Sequence, residues 1–125
     1  MFRPTAAVAT MPAQDFERAV RFYAEVIGLE PVEASDEEAR YRVGDSEFVV
    51  FPSTGKASGD HTQVGFDVDD IESAVTALRD NGVTFEEYDL PGFKTSEGIV
   101  ELEGEKAAWF KDSEGNLVSI VQRKT

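Results

Sequence analysis

The chain contains no cysteine, and its 125 residues include a single histidine and a single tryptophan. The absence of cysteine excludes disulfide bonds, thiolate metal sites and a cysteine nucleophile, and it fits a cytoplasmic protein. No apolar run approaches the roughly 20 residues that a membrane span needs. The N-terminus also lacks the basic-then-apolar pattern of an export signal. We therefore expect no membrane association and a cytoplasmic location.

Basic residues are scarce as well. Lysine and arginine number 12 against 25 acidic residues, so the formal net charge is −13. Binding to nucleic acid needs a basic footprint, which this composition does not offer. The acidic balance has two interpretations, simple solubility or attraction of a cationic ligand or partner. With 41% hydrophobic residues and the length of one domain, the chain is expected to fold around a real core.

An internal repeat is the clearest positive feature. Residues 15–20 (DFERAV) lead, eight residues on, to Gly28, and residues 70–75 (DIESAV) lead, seven residues on, to Gly82. Aspartate is a good helix N-cap and glycine suits the left-handed position after a helix. We therefore predict one helix in each half and assign Asp15 and Asp70 as caps rather than as paired acid–base carboxylates.

Strand-like segments surround both helices. In the first half they are residues 5–11, 29–32, 40–43 and 47–51, with a turn at 44–46. In the second half they are 62–68, 83–86, 99–102, 107–111 and 117–122, with a long loop at 87–98. Each half thus reads β-α-β-β-β, with one strand more in the second half. The fold class is α+β: tandem modules (1–51 and 61–125, linker 52–60) forming a curved mixed sheet with an open cleft and helices on its outer face.

Three landmarks follow one another along the chain: residues 15–29 (DFERAVRFYAEVIGL), 66–71 (FDVDDI) and 109–117 (WFKDSEGNL). Together they resemble the vicinal oxygen chelate superfamily, which includes glyoxalase I, extradiol dioxygenases, fosfomycin-modifying enzymes and bleomycin-binding resistance proteins. The resemblance covers almost the whole chain and is specific for fold rather than for function. It implies a ligand cleft and a homodimer, since relatives commonly pair or swap modules.

The resemblance also implies where a metal would be bound. Metal enzymes of the family carry ligands on the first and last strand of each module, and the matching positions here are Val8, Val50, Gln63 and Ser119. Two of these side chains have no donor atom, and none is a carboxylate or an imidazole, the usual ligands. We therefore predict no metal and no cofactor.

Other candidates for the cleft lining are aromatic or polar residues on predicted strands and loops. Each has an ordinary alternative: core packing for the aromatic residues, an outward-facing carboxylate, or a solvent-exposed histidine. By strand alternation, His61 is expected to point to the same side as Gln63. These further candidates are Thr10, Phe48, His61, Phe93, Glu101 and Trp109.

The resulting hypothesis is a metal-free protein that binds a small apolar or cationic molecule in the sheet cleft, with no catalytic residues assigned. Two alternatives stay open. One is an enzyme of the same family with metal-independent lyase-type or isomerase-type chemistry, and the other is an interaction protein with a vestigial cleft. Ser119 lacks any neighbouring activator in the sequence, so it is not expected to act as a nucleophile.

Overall fold

The computed structural model describes residues 1–123, so the last two residues assigned to the second module lie outside the described part. Helix and strand content confirms the α+β class. The helical elements are α1 (Phe16–Phe22), which continues as a π-helical segment (Tyr23–Ile27), and α2 (Ile71–Asp80). The strands are β1 (Ala9–Ala13), β2 (Glu33–Ala34), β3 (Ala39–Val43), β4 (Ser46–Pro52), β5 (Thr62–Asp67), β6 (Asp89–Leu90), β7 (Phe93–Lys94), β8 (Ile99–Leu102), β9 (Glu105–Lys111) and β10 (Leu117–Arg123).

The strands form two four-stranded mixed sheets and a small hairpin among the described residues. The strand orders are β1-β4-β3-β2 in the first sheet and β5-β10-β9-β8 in the second, so the two sheets repeat one topology. In each, the first strand pairs in parallel with the last, whereas the other neighbours are antiparallel. The repeat in the sequence is therefore a repeat in topology, although no backbone ladder joins β1 to β5 into one continuous sheet.

Both helices begin where the sequence predicts. The Asp15 carboxylate accepts a hydrogen bond of 3.0 Å from the Arg18 amide, and Asp70 accepts one of 3.3 Å from the Ser73 amide. The first module has one more residue between cap and glycine than the second. The π-helical segment absorbs that residue, because its wider turn holds one residue more than an α-turn. Gly28, with φ of 87°, then ends the helix in the left-handed region.

The first strand begins later than predicted. Residues 5–8 lie outside any strand, and Pro12 stands inside β1 rather than terminating it. Proline lacks the amide hydrogen that a central strand would have to donate, but β1 is an edge strand of its sheet, so the missing donor breaks no ladder on the open side.

Two predictions in the second module are also wrong. Residues 83–86 form no strand and make one isolated bridge, between Phe85 and Phe110. Val83 and Phe85 are buried nevertheless, because their side chains pack into the core although the segment does not pair as a strand. The loop predicted at 87–98 contains the β6–β7 hairpin, whose paired segments of two residues are too short for a periodic signal.

The core lies between the sheets and their helices. Met11, Tyr41 and Phe48 from the first sheet and Phe110 and Ile120 from the second belong to one buried cluster. Phe48 and Phe66 meet at the junction of the modules with ring centroids 5.5 Å apart. The helices thus cover one side of each sheet, as predicted, and leave the other side facing away from the core.

Candidate functional site: the concave face of the second sheet

Strand alternation identifies the side of the second sheet that faces away from the helices. Ala108 and Phe110 on β9 and Val118 and Ile120 on β10 belong to the core cluster. Residues between them must point to the opposite side, because successive side chains of a strand alternate. Trp109 and Ser119 therefore both lie on this face, which we call the concave face, and they are direct cross-strand partners in the β9–β10 ladder.

Three aromatic rings gather on the concave face. Trp109 lies 5.8 Å from Tyr88 and 5.5 Å from Phe93, measured between ring centroids, and Tyr88 lies 6.0 Å from Phe93. All three are half-buried, and burial raises the pKa of the Tyr88 hydroxyl, with Glu86 adding to the effect. We call Tyr88, Phe93 and Trp109 the aromatic trio. It brings the β6–β7 hairpin over the sheet.

Ser119 occupies a tight position beside the trio. Gly65 on β5 is its parallel partner, and a β-carbon at position 65 would stand 2.7 Å from the Ser119 hydroxyl oxygen. That separation is shorter than real contacts of a β-carbon, so glycine here makes room for the serine side chain. Ser119 itself is 6% exposed.

A β-bulge at the start of β5 redirects Gln63. Leu117 on β10 pairs with Thr62, whereas its neighbour Val118 pairs with Val64, so Gln63 is the extra residue. Its side-chain amide donates a hydrogen bond of 3.0 Å to the Thr10 carbonyl in the other module. Thr62 accepts a hydrogen bond of 3.2 Å from the Trp109 indole nitrogen, which orients the indole ring.

The base of the β6–β7 hairpin is anchored, in contrast to its tip. The Glu87 carboxylate accepts hydrogen bonds of 2.6 Å from the Thr95 hydroxyl and 2.9 Å from the Gly98 amide. These bonds hold the pKa of Glu87 below its ordinary value. Leu90, at the tip, is 58% exposed. Hydrogen bonds therefore fix the base of the hairpin, whereas the side chain of Leu90 at its tip faces solvent.

The charged groups on the concave side are paired with one another. The Glu47 carboxylate lies 2.9 Å from nitrogen atoms of both Arg40 and Arg42, and these hydrogen bonds lower its pKa. Arg123 lies 2.9 Å from Glu105 and 3.5 Å from Asp67. Both arginines lie on the face of β3 opposite the buried Tyr41 ring, because successive side chains of a strand alternate.

Two predicted cleft residues are on the wrong side. Phe48 and Val50 point into the core, 3% and 1% exposed, because they alternate with Val49 and Phe51 on β4. The strand register explains the error. Thr10 pairs with Val49 just as Gly65 pairs with Ser119, so Val49 is the counterpart of Ser119 in the first module.

Glu101 is also not on the concave face. Its carboxylate lies 3.5 Å from the Lys106 amino group, which makes a 3.0 Å ion pair with Glu72 of α2. The carboxylate therefore faces the helix side of the sheet, where it lines a cavity with α2 residues.

Three further candidates lie at the margin of the concave face. His61 is exposed directly ahead of β5, with its ring Nδ1 atom 3.4 Å from the Ser58 hydroxyl. Val8 is 38% exposed ahead of β1, and Thr10 is exposed and contributes its carbonyl to Gln63. The predicted set that the fold brings together is thus Phe93, Trp109 and Ser119, with Gln63 at the junction of the modules.

The donor chemistry does not suit the metal of the family's enzymes. At the matching positions, Gln63 and Ser119 supply one amide and one hydroxyl, and the amide is engaged with Thr10. The side chains of Val8 and of Val49 or Val50 on β4 have no atom that could coordinate a metal ion. Within residues 1–123, no group of three or more histidine, aspartate or glutamate side chains is arranged to hold a metal ion. A divalent ion needs several carboxylate or imidazole ligands.

The sequence interpretation missed Tyr88, Thr62 and Gly65. Tyr88 lies in a segment that was predicted as a loop, and without strand periodicity the sequence does not indicate to which side its ring points. Thr62 is placed by the bulge, which has no sequence signature. Gly65 did carry a usable signal, because a glycine inside a strand often marks a close approach.

Comparison with known proteins agrees with this architecture. The sequence model of the Glyoxalase/Bleomycin resistance protein/Dioxygenase superfamily matches residues 5–120. Among curated proteins no match is found. The solved structures that superpose include UcmS2, with 20% identity, 96% of this chain and 98% of that chain covered, and a TM-score of 0.72.

Two other structures are similar over nearly their full length. TnmS3, an antibiotic-binding protein from Streptomyces sp. CB03234, has 18% identity, 99% coverage of both chains and a TM-score of 0.69. FosX, a fosfomycin resistance protein from Listeria monocytogenes, has 11% identity, covers 96% of this chain and 91% of that chain, and has a TM-score of 0.71. At these identities the likeness concerns the fold.

None of the helices within residues 1–123 has both the length and the apolar character that a membrane-spanning helix requires.

Proposed function

Because the chain belongs to the Glyoxalase/Bleomycin resistance protein/Dioxygenase superfamily, we propose that it binds a flat, largely apolar small molecule on the concave face of its second sheet, without a metal ion. The aromatic trio is the observation that carries this proposal. Three half-buried rings around a cross-strand serine form a surface that favours stacking with a planar ligand. The relatives of similar fold include a protein described as antibiotic-binding.

Ligand entry requires the hairpin to move. Phe93 and Trp109 lie 5.5 Å apart between ring centroids. A planar ligand held between two rings needs about 7 Å, twice the usual carbon–carbon contact distance. The ladder of the β6–β7 hairpin has only two residue pairs, and the further hydrogen bonds across it, from Thr95 to Glu87 and Tyr88, lie at its base. Displacing Phe93 near the tip therefore breaks fewer hydrogen bonds than opening the second sheet.

Neutral ligands are favoured over cationic ones on this face. Glu47 is neutralised by two arginines, and Asp67 and Glu105 share Arg123. The hydroxyls of Ser119 and Thr62 offer polar contacts without charge. A cation would be attracted by the net charge of −13, but that long-range effect acts on the association rate more than on the bound state.

The single tryptophan provides the test. Trp109 is the only indole in the chain, so its fluorescence reports directly on the proposed site. A panel of planar aromatic compounds, neutral, cationic and anionic, would be titrated while emission is recorded, and hits would be measured by calorimetry. The test variant is Phe93→Ala. Its control is Leu90→Ala, an exposed position on the same hairpin.

The proposal expects saturable quenching by planar neutral compounds, at least a tenfold weaker affinity in Phe93→Ala and unchanged affinity in Leu90→Ala. Equal affinities in both variants would locate binding elsewhere. No saturable quenching across the panel would favour the vestigial-cleft alternative and overturn the proposal.

Three finer properties belong to the same proposal. Elemental analysis of the purified protein should find no stoichiometric zinc, nickel, manganese or iron, and added EDTA should leave ligand affinity unchanged; stoichiometric metal would contradict the metal-free assignment. We further propose a homodimer, by analogy with family members, which light scattering across a concentration series would detect. The cytoplasmic location remains a prediction from composition, testable by cell fractionation.

A further inference from the structure

The chain contains only two asparagines, and the structure places them in opposite surroundings. Asn81 is exposed at the C-terminal end of α2 and is followed by Gly82. Asn116 is 1% exposed in the turn between β9 and β10 and is followed by Leu117. The buried side-chain amide donates hydrogen bonds of 3.0 Å to a backbone carbonyl and 2.9 Å to a carboxylate. The two positions therefore allow a comparison of asparagine chemistry within one molecule.

An asparagine followed by glycine is open to loss of its amide group. The Gly82 backbone nitrogen can attack the side-chain carbonyl carbon of Asn81, because glycine has no β-carbon to hinder the approach. That nitrogen gives up its proton, ammonia leaves, and a cyclic succinimide forms. Water then opens the ring to aspartate or isoaspartate. The net reaction converts an amide and water into a carboxylic acid and ammonia, so solvent is the only other reactant.

The backbone around Gly82 leaves room for the ring but controls when it forms. Within residues 1–123, no atom beyond the immediate chain neighbours lies within 4 Å of a β-carbon placed at position 82. The Gly82 amide, however, donates a hydrogen bond of 2.9 Å to the Arg79 carbonyl, and the next amide, of Val83, donates one of 3.0 Å to the Leu78 carbonyl. The attacking nitrogen must first be released from this turn. Because helix ends open more readily than helix interiors, the last turn of α2 can supply that opening.

The Asn81 side chain also joins the two modules. Its amide donates a hydrogen bond of 3.0 Å to the Val26 carbonyl in the π-helical segment. A carboxylate has no hydrogen to donate, so the product would place two acceptors against each other. The new negative charge would lie at the C-terminal end of α2 next to Asp80, where the helix dipole and a like charge both disfavour it.

We propose that Asn81 is a site of spontaneous deamidation, and that the reaction loosens the contact between the ends of the two helical elements. The change runs in one direction, because the ammonia is lost to solvent. The site lies on α2, away from the aromatic trio, so it is independent of the ligand proposed for the concave face.

Peptide mapping by mass spectrometry tests the reaction. Wild-type protein would be kept in mildly alkaline buffer at physiological temperature, either folded or in concentrated urea, and digested with trypsin at intervals. Residues 80–94 lie between two tryptic sites and carry Asn81, whereas residues 112–123 carry Asn116. The first peptide should gain the mass that replaces an amide by an acid, roughly tenfold faster in urea, because no turn then has to open.

Asn116 is the internal control and should keep its amide in the folded protein. Asn81→Gln is the matched variant, since its longer side chain closes a ring far more slowly, and it should suppress the change in residues 80–94. An Asn81 amide that survives in folded protein while the unfolded chain loses it completely would overturn the proposal. Equal rates at both asparagines, or equal rates in folded and unfolded protein, would contradict control by the α2 turn.

Thermal melting and hydrogen exchange test the consequence. Asn81→Asp reproduces one product, and Asn81→Ala removes the same hydrogen bond without adding a charge. We expect Asn81→Asp to melt about 4 °C below wild type and below Asn81→Ala. The Leu29 amide, which donates a 2.8 Å hydrogen bond to the Tyr23 carbonyl, should exchange faster in Asn81→Asp but not in Asp80→Asn. Wild-type melting and exchange in Asn81→Asp would show that the product leaves the contact intact and would overturn the proposed loosening.

Discussion

Tyr23 and Asp112, 89 positions apart in the chain, form a buried hydrogen bond in which the Tyr23 hydroxyl donates to the Asp112 carboxylate at 2.8 Å. Tyr23 lies in the π-helical segment of the first module and Asp112 begins the turn between β9 and β10 of the second. The same turn docks on β1, since the Asn116 side chain donates a 3.0 Å hydrogen bond to the Pro12 carbonyl. The turn therefore joins the modules as well as the strands.

Tyr23→Phe should lower the free energy of unfolding by about 2 kcal/mol, because it removes a buried hydrogen bond to a charged group. Tyr41→Phe is the matched control. The Tyr41 hydroxyl is buried without a hydrogen-bond partner among the described residues, and burial raises its pKa to about 12. Removing that hydroxyl should cost nothing or stabilise the protein slightly. Urea denaturation of both variants measures the difference, and equal losses would contradict this account.

Glu114→Gln should reduce the loss of stability at acidic pH. Burial favours the neutral acid, but hydrogen bonds from the Arg18 side chain, the Asp15 amide and the Ser113 hydroxyl outweigh it, so the pKa of Glu114 lies below its ordinary 4.5. The unfolded chain then binds the proton more tightly than the native one. The stabilisation is present above pH 4.5 and disappears as pH falls through the lower native pKa.

The comparison for this prediction is the free energy of unfolding of wild type and Glu114→Gln from pH 6 to 3, at steps of about half a unit. The wild-type advantage should be largest at pH 6 and should shrink below the ordinary carboxyl pKa. A constant difference across this range would show that the Glu114 charge contributes no linked stability.

Gly65→Ala should destabilise the protein only while Ser119 retains its hydroxyl. The added β-carbon would stand 2.7 Å from that oxygen, and the serine must rotate or the strands must shift. We expect a cost of about 1–2 kcal/mol in the wild-type background and almost none when combined with Ser119→Ala. A double-mutant cycle by chemical denaturation measures the coupling, and additive effects would exclude the contact.

Gln63→Ala should lower the free energy of unfolding by about 1 kcal/mol, because the 3.0 Å hydrogen bond to Thr10 crosses the module junction. The exposed Gln14→Ala, which removes a 3.1 Å hydrogen bond to Thr54, is a control with a smaller expected effect. If Gln63→Ala instead left stability unchanged but weakened a ligand, Gln63 would be a ligand contact, as its family position suggests.

The repeat in the sequence predicted the topology of the two modules correctly, but it did not predict correctly which residues line the candidate site. Asp15 and Asp70 identified both helix starts, because capping is a local interaction between neighbouring residues. Val50 was assigned to the cleft by aligning two strands without their register. A shift of one residue moves a side chain to the other face, so that single step placed a core valine in the cleft.

The repeated caps and the strand periodicity determined by themselves that the chain forms two modules of one topology. The resemblance to the family then indicated which positions would carry metal ligands, and the sequence shows the residues at those positions. These conclusions depend on residue identity and on spacings within one helix or strand and its flanking residues. Only the tertiary structure decided that a bulge turns Gln63 to the other module, that Glu101 faces α2, and that Tyr88 joins Phe93 and Trp109 on the concave face. Each depends on register or on contacts between distant segments, which local sequence does not encode.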